Sequence, residues 1–288
     1  MKWIVIFTGL LLIAPAYANS EGQKRSLAGN RTLTYLQTPP TVESLGDAFT
    51  EGIFYGRIRT NFFRWEWDDE NEVARRRDHS ILGLGGSMIY QTGVWNGLSV
   101  RLGVYGTSVP LWRPDRDEVN TIRAGKDTFS RYEVKQGNSF HYIVLGEAHL
   151  DYEIENHAFR IGRQLYESAF TASNDTKMIP NTFDGVSWQW TVNKKTTLRG
   201  AWFDRQKLRD HTEAHDVITF RDSSGESWAN QDDSAIHRGL SYSNFRGAGE
   251  DTDHDLWIGS VNHKPVKGAN LQASTLLIPD VLTHLSQQ

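Results

Sequence analysis

From Ile53 to Ile278 apolar and polar residues change places at every second position, in short runs separated by turn-forming residues. That period constrains the chain more than any other feature, because side chains alternate across a strand, whereas helical spacing would mix the two sets on one face. In the run Ile53 to Trp65, Phe54, Gly56, Ile58, Thr60 and Phe62 share one face, and Tyr55, Arg57, Arg59 and Asn61 share the other. The next run sets Leu82, Leu84, Gly86, Met88 and Tyr90 against Gly83, Gly85, Ser87 and Gln91, and ends at a turn marked by Asn96-Gly97. A third sets Leu98, Val100, Leu102 and Val104 against Ser99, Arg101, Gly103, Tyr105 and Thr107; a fourth sets Val144, Gly146, Ala148, Leu150 and Tyr152 against Glu147, His149 and Asp151. Weaker runs follow around Phe159–Ile161, Val186–Thr191, Leu198–Phe203, Leu256–His263 and Asn270–Ile278, so the spacing predicts about nine strands.

The connections between these runs are expected to alternate strictly between short and long. Tight turns near 93–97, 153–156, 193–195 and 264–268 take turns with polar stretches near 108–139, 165–184 and 204–255. Membrane barrels segregate their connections in this way, with tight turns on one side and long loops on the other. Aromatic residues gather at run ends, among them Trp65, Trp67, Trp95, Trp188, Trp190, Trp202 and Trp257, where rings suit a membrane interface. Only 38% of residues are hydrophobic, which excludes a bundle of spanning helices but not a barrel whose strands average lipid-facing and water-facing positions. The fold class expected is all-β: a transmembrane antiparallel up-and-down β-barrel.

The amino terminus has the order of an export signal. Lys2 is followed by the apolar stretch Trp3–Ile13 and by Ala16-Tyr17-Ala18, a small-residue cleavage pattern that would start the mature chain near Asn19. The apolar run is too short to span a bilayer as a helix, which needs about 20 residues. Residues 19–45 then read as a polar N-terminal arm on the periplasmic side, and 46–288 as barrel wall. There is no cysteine, so an exported chain of this kind relies on burial and hydrogen bonds, without disulfides or thiolate chemistry. A net charge of −4 argues against nucleic acid as a partner.

Other chemistries fit these residues less well. Glu147, His149 and Asp151 share one face and could in principle perform acid–base work, but alternate positions on a polar wall produce such trios without catalysis, and no activated nucleophile accompanies them. Asp251-Thr252-Asp253-His254-Asp255 resembles the start of a calcium loop, yet Leu256 stands where glycine is expected, and a solvated acidic loop is the simpler reading. Gly83, Gly85 and Gly86 sit within a strand with no Walker lysine, and there relieve crowding or bend the wall. No cofactor and no metal are implied. The competing architecture is a soluble periplasmic or secreted β-sandwich that binds polysaccharide through surface aromatics.

The segment Ile161-Gly162-Arg163-Gln164, followed by Thr171-Ala172-Ser173-Asn174-Asp175-Thr176-Lys177-Met178-Ile179-Pro180-Asn181-Thr182-Phe183-Asp184-Gly185, resembles the OprD-like outer-membrane porins. Ala48–Trp67 is similar to their first strand, and the likeness extends from about Glu43 onward. The resemblance implies a monomeric barrel of about eighteen strands in outer-membrane lipid, inserted by the barrel-assembly machinery. Such a channel passes small polar or anionic solutes (amino acids, small carboxylates, ions) by diffusion and does no chemistry on them. It implies that Leu165–Asp184 folds into the lumen, with Asp175 and Lys177 at the narrowest part, and that arginines line the path. Arg57, Arg59, Arg101, Arg160 and Arg199 lie on the lumen-facing parity, and Arg163 joins them if the alternation shifts. A row of guanidinium groups would offer sequential sites to anions. Equally, these groups could pair with Glu147, Asp151 and loop carboxylates. With about nine strands ending at Leu285–Gln288, the chain is expected to form a partial barrel, monomeric or missing a C-terminal half. An odd count would also stop the last strand from pairing antiparallel with a first.

Overall fold

The structure is a computed structural model, which describes residues 7–11, 37–71, 76–119, 122–174, 178–217, 254–266 and 269–287. In chain order the strands are β1 (Phe7–Leu11), β2 (Thr41–Val42), β3 (Ile53–Trp65), β4 (His79–Gln91), β5 (Val94–Trp95), β6 (Leu98–Leu111), β7 (His141–Ile154), β8 (His157–Gln164), β9 (Thr182–Asn193), β10 (Thr196–Lys207), β11 (His215–Asp216), β12 (Leu256–His263), β13 (Leu271–Ile278) and β14 (Leu282–Gln287). Two short helices, α1 (Leu45–Thr50) and α2 (Arg131–Gly137), lie in connections.

All strands belong to one sheet, in the order β1-β3-β4-β6-β7-β8-β9-β10-β12-β13-β14. Each neighbour along this path is antiparallel, and the path does not close among the described residues. A single continuous sheet removes the sandwich alternative, which requires two sheets packed face to face. The nine expected strands are all present, and β3 and β12 have the expected limits. A tenth long-path strand, β14, was not anticipated. It follows β13 through 279–281, with Asp280 at a φ of 61° and a Val281 N–H to Ile278 O bond. This tight link lies on the same side as the long loops, so strict alternation of short and long fails there. From β3 to β14 the path holds ten strands, so β14 runs opposite to β3; with β1 paired beyond β3 it holds eleven, and the two edge strands β1 and β14 run parallel.

The apolar segment expected as part of a leader, Phe7–Leu11, is a strand here, pairing Phe7 with Phe62 and Leu11 with Ile58 on β3. It occupies backbone groups that a sheet edge would otherwise leave unpaired. Lys2 and Ala16-Tyr17-Ala18 lie outside the described residues.

The two faces of the sheet differ as the period requires. On the outer face Phe54, Ile58, Leu84, Met88, Leu102, Val104 and Ile161 are exposed, and Ile143 is 74% exposed. On the inner face Tyr55, Ile89, Tyr105, Tyr142 and Val144 are buried beneath Met178 and Ile179, which come from the 165–181 connection. A second inner cluster sets Ile81 and Val109 of the wall against Val119, Ile122, Phe129, Val134 and Phe140 of the 112–140 connection. Further round, Tyr166 packs with Phe183, Phe203, Leu256 and Ile258. Long loops therefore fold back against the inside of the wall.

Glycines on the inner face of β4 make room for them. A Cβ at Gly83 would lie 2.0 Å from a Thr128 methyl, and one at Gly85 would lie 2.5 Å from the Gly106 carbonyl and 3.1 Å from the Met178 sulfur. The expectation that these glycines relieve crowding thus acquires named neighbours. The β4–β6 turn follows the sequence signal: Asn96 and Gly97 both have positive φ, at 49° and 83°, as a type I′ hairpin requires.

One expected face assignment is corrected. Val144 was placed on the lipid side with Leu150, but it is buried inside, while Ile143 and Leu145 point outward. The register slips between Gly103–Glu147 and Val104–Leu145, so a β-bulge at Gly146 reverses the alternation partway along β7.

Candidate functional site

The inner face carries a lateral row of charged and polar side chains crossing β4, β6, β7 and β8. Antiparallel pairing builds it. Gln91 faces Arg101, Arg101 faces His149, and Asp151 faces Arg160 across successive strands. Arg101 donates to the Gln91 amide oxygen and its other terminal nitrogen lies 3.7 Å from Glu147 Oε2. Tyr105 donates its hydroxyl to Glu147 Oε1 at 2.7 Å. His149 stands between two carboxylates, 3.7 Å from Glu147 Oε2 and 3.3 Å from Asp151 Oδ2. Asp151 then accepts from Arg160 Nε at 2.6 Å. Each guanidinium of the row thus has a carboxylate beside it, Glu147 for Arg101 and Asp151 for Arg160.

The five arginines singled out by parity, and Arg163 beside them, differ in surroundings. Arg101 and Arg160 are in the row just described, bound to carboxylates as the pairing alternative envisaged. Arg163 grips Asp184 with two bonds of 2.6 Å and reaches the Leu145 carbonyl at 3.2 Å. Arg199 donates to the Glu167 carbonyl at 2.9 Å and lies over the Tyr166 ring at 4.9 Å, which fastens the base of the 165–181 connection to β10. Burial pushes the Tyr166 hydroxyl above its ordinary value, so that ring stays neutral beside the guanidinium. Arg59 is 1% exposed, covered within the inner wall, whereas Arg57 is half-buried. Asp175 and Lys177 lie outside the described residues, as do Asp251 and Asp253.

Near the short-turn rim the row opens into a cavity of about 160 Å³ whose lining includes Asp151, Glu153, Arg160, Tyr166, Gln189 and Arg199. Of the six arginines, only Arg160 and Arg199 line it. His149 is fully covered, so a solute cannot reach its imidazole and the acid–base reading of Glu147, His149 and Asp151 loses its central group.

At the opposite rim the long connections are tied to one another. Arg131 of α2 meets Asp210 at 3.3 Å, with both side chains almost fully buried, and Arg209 meets Asp127 at 3.0 Å. Asn181 accepts from the Arg209 amide, and the buried Lys207 ammonium donates to the Pro180 carbonyl at 3.3 Å. Tyr142 of the wall donates to the Arg209 carbonyl at 2.7 Å. Sequence reasoning missed this clamp, because partners so far apart in the chain leave no local trace. Gln91, Tyr105 and Gln189 were legible in principle, since they share inward parity with the arginines beside them.

An open antiparallel wall with a bare apolar exterior, a charged interior and loops folded against that interior belongs to a known architecture. The chain is similar to Pseudomonas aeruginosa OccK9 (OpdG), with a TM-score of 0.59 at 16% identity over 83% of this chain and 54% of that one. It has the fold of an OprD/Occ outer-membrane porin. A porin-like match is found also with Acinetobacter baumannii OccAB3, at a TM-score of 0.56 and 14% identity over 82% of this chain and 52% of that one. Pseudomonas aeruginosa OpdK with vanillate gives 0.54 and 10% identity over 83% of this chain and 52% of that one. The chain thus spans about half the length of the solved porins it matches. No family model and no curated protein matches it.

Proposed function

We propose that the chain is exported and forms part of the wall of an outer-membrane diffusion channel for small polar or anionic solutes, such as amino acids, small carboxylates and inorganic ions. The reading rests above all on the reversal of chemistry across one sheet: hydrocarbon-compatible side chains outside, a compensated charged row inside. A soluble protein rarely leaves so large a contiguous apolar surface uncovered, and a barrel in lipid requires it. Transport here is passive, with no catalytic step.

Solutes would meet Arg160 and Arg199 at the cavity by the short-turn rim, beside Asp151 and Glu153. A guanidinium keeps its charge at every working pH and can hold a carboxylate in bidentate geometry. Vanillate, the compound named with the similar OpdK barrel, is itself a carboxylate, which fits an anionic solute for this chain as well.

Reconstitution in planar bilayers tests the proposal through the reversal potential in a potassium chloride gradient. Anion preference is expected, weakened or inverted by Arg160→Glu. A chain that inserts and conducts with a selectivity indifferent to that change would defeat the arginine-lined path. A folded chain that remains in the aqueous fraction would defeat the channel.

A further inference from the structure

The short helix α1 precedes the wall and lies against its outer side, at the rim of the tight turns. Tyr90 is on the outward parity of β4, and its hydroxyl donates to the Phe49 carbonyl at 2.6 Å. The Gly93 amide donates to the Ala48 carbonyl at 2.7 Å, and the Val94 amide to the Pro40 carbonyl at 2.7 Å, so the arm is fixed to the β4–β6 turn by its backbone. Gly52 allows the chain to pass the Tyr90 ring: a Cβ there would fall 2.7 Å from its oxygen. Ser44 caps the helix by accepting from the Asp47 amide at 3.1 Å.

The helix is amphipathic, and among the described residues none covers its apolar side. Ala48 is 3% exposed and touches the wall, while Leu45 and Phe49, one turn apart on the neighbouring face, are 54% and 57% exposed. Asp47, Thr50 and Glu51 occupy the other side. Leu45 and Phe49 therefore continue, beyond the end of the strands, the exposed apolar belt that Phe54, Ile58 and Met88 form on β3 and β4.

We propose that α1 is an interfacial anchor that buries Leu45 and Phe49 among the acyl chains of the periplasmic leaflet and leaves Asp47, Thr50 and Glu51 at the headgroups. The inference rests on the outer-membrane reading above. What favours lipid over another protein is continuity: the outward-facing Tyr90 holds the Phe49 carbonyl, and Gly52 leads from the helix past the Tyr90 ring into β3, whose first exposed outward residue is Phe54. An amphipathic helix lying in the interface plane has this distribution of residues.

The chain has no cysteine, so a nitroxide can be placed at one chosen position. Leu45→Cys, Phe49→Cys, Glu51→Cys and Ile143→Cys are labelled singly, refolded into phosphatidylethanolamine–phosphatidylglycerol vesicles, and compared by collision with oxygen and with a water-soluble nickel chelate. The ratio of oxygen to chelate collisions is expected to be severalfold higher at 45 and 49 than at 51, and to approach that at 143. Chelate access at 45 and 49 equal to that at 51, with 143 still in lipid, overturns the anchor and leaves the wall reading intact. Shielding from both agents at 45 and 49 means that protein covers the helix, and overturns it too. If 143 also meets the chelate freely, the membrane wall itself fails. Leu45 and Phe49 are exposed, so either label can report alone should the other impair refolding.

Discussion

Glu147 shows how much a single inner-wall residue holds. It is 1% exposed, accepts the Tyr105 hydroxyl and stands beside both Arg101 and His149. Removing one member of a buried pair strands the other charge, which costs roughly 3–5 kcal/mol. Glu147→Ala is therefore expected to lower the urea midpoint of the folded chain in lipid vesicles by an amount of that order. Glu147→Gln is expected to lose less, because an amide oxygen still accepts from Tyr105; equal losses would show that the charge and not the acceptor matters. Parity in the sequence placed Arg101, Glu147 and Asp151 on the inside, and there it was sound. It left pairing with Glu147 and Asp151 as one of two readings, because pairing partners depend on register, and register is set by turns and bulges. Nor could it see Val144 inward: the reversal comes from the bulge at Gly146, and nothing local distinguishes that glycine from those that keep step.

Among the elements, the strands were legible almost to the residue where the alternation was long, as in β3, and least where a connection broke the expected habit. β14 lies beyond the last expected run, and its Leu282–Gln287 stretch is too short and polar to announce itself. The long connections were recognised as loops, but their seating depends on contacts distant in sequence. Gly83→Ala tests one of these. The added carbon overlaps Thr128, so the 112–140 connection must shift, at about 1–3 kcal/mol for overpacking. Limited proteolysis is expected to cut that connection sooner in the variant, and Thr128→Gly in the same chain is expected to slow the cleavage again. The clamp at the same rim gives a second test. Arg131→Asp and Asp210→Arg each place like charges in a buried site, whereas the two together restore opposite signs. Single exchanges are expected to hasten cleavage within 204–217, and the double exchange to recover part of the protection; three equal rates would mean the pair holds nothing.

At the scale of the whole molecule the outward belt decides the surroundings in which the fold is stable. Leu145 is exposed on the outer face near the middle of β7, paired with Val104. Leu145→Arg should cost about 2–4 kcal/mol if that height lies near the bilayer midplane. The expected outcome is a lower yield of folded chain in vesicles, read by heat-modifiable mobility; a chain that tolerated arginine there without loss would not be facing hydrocarbon. Inside, the glycines of β4 give a different kind of freedom. Because Thr128 and Met178 sit in hollows where the wall has no side chains of its own, bore and lining on that flank are decided by inserted segments. Exchange of those segments could retune what passes through while the surface presented to the bilayer stays untouched, so permeability and membrane residence can diverge independently.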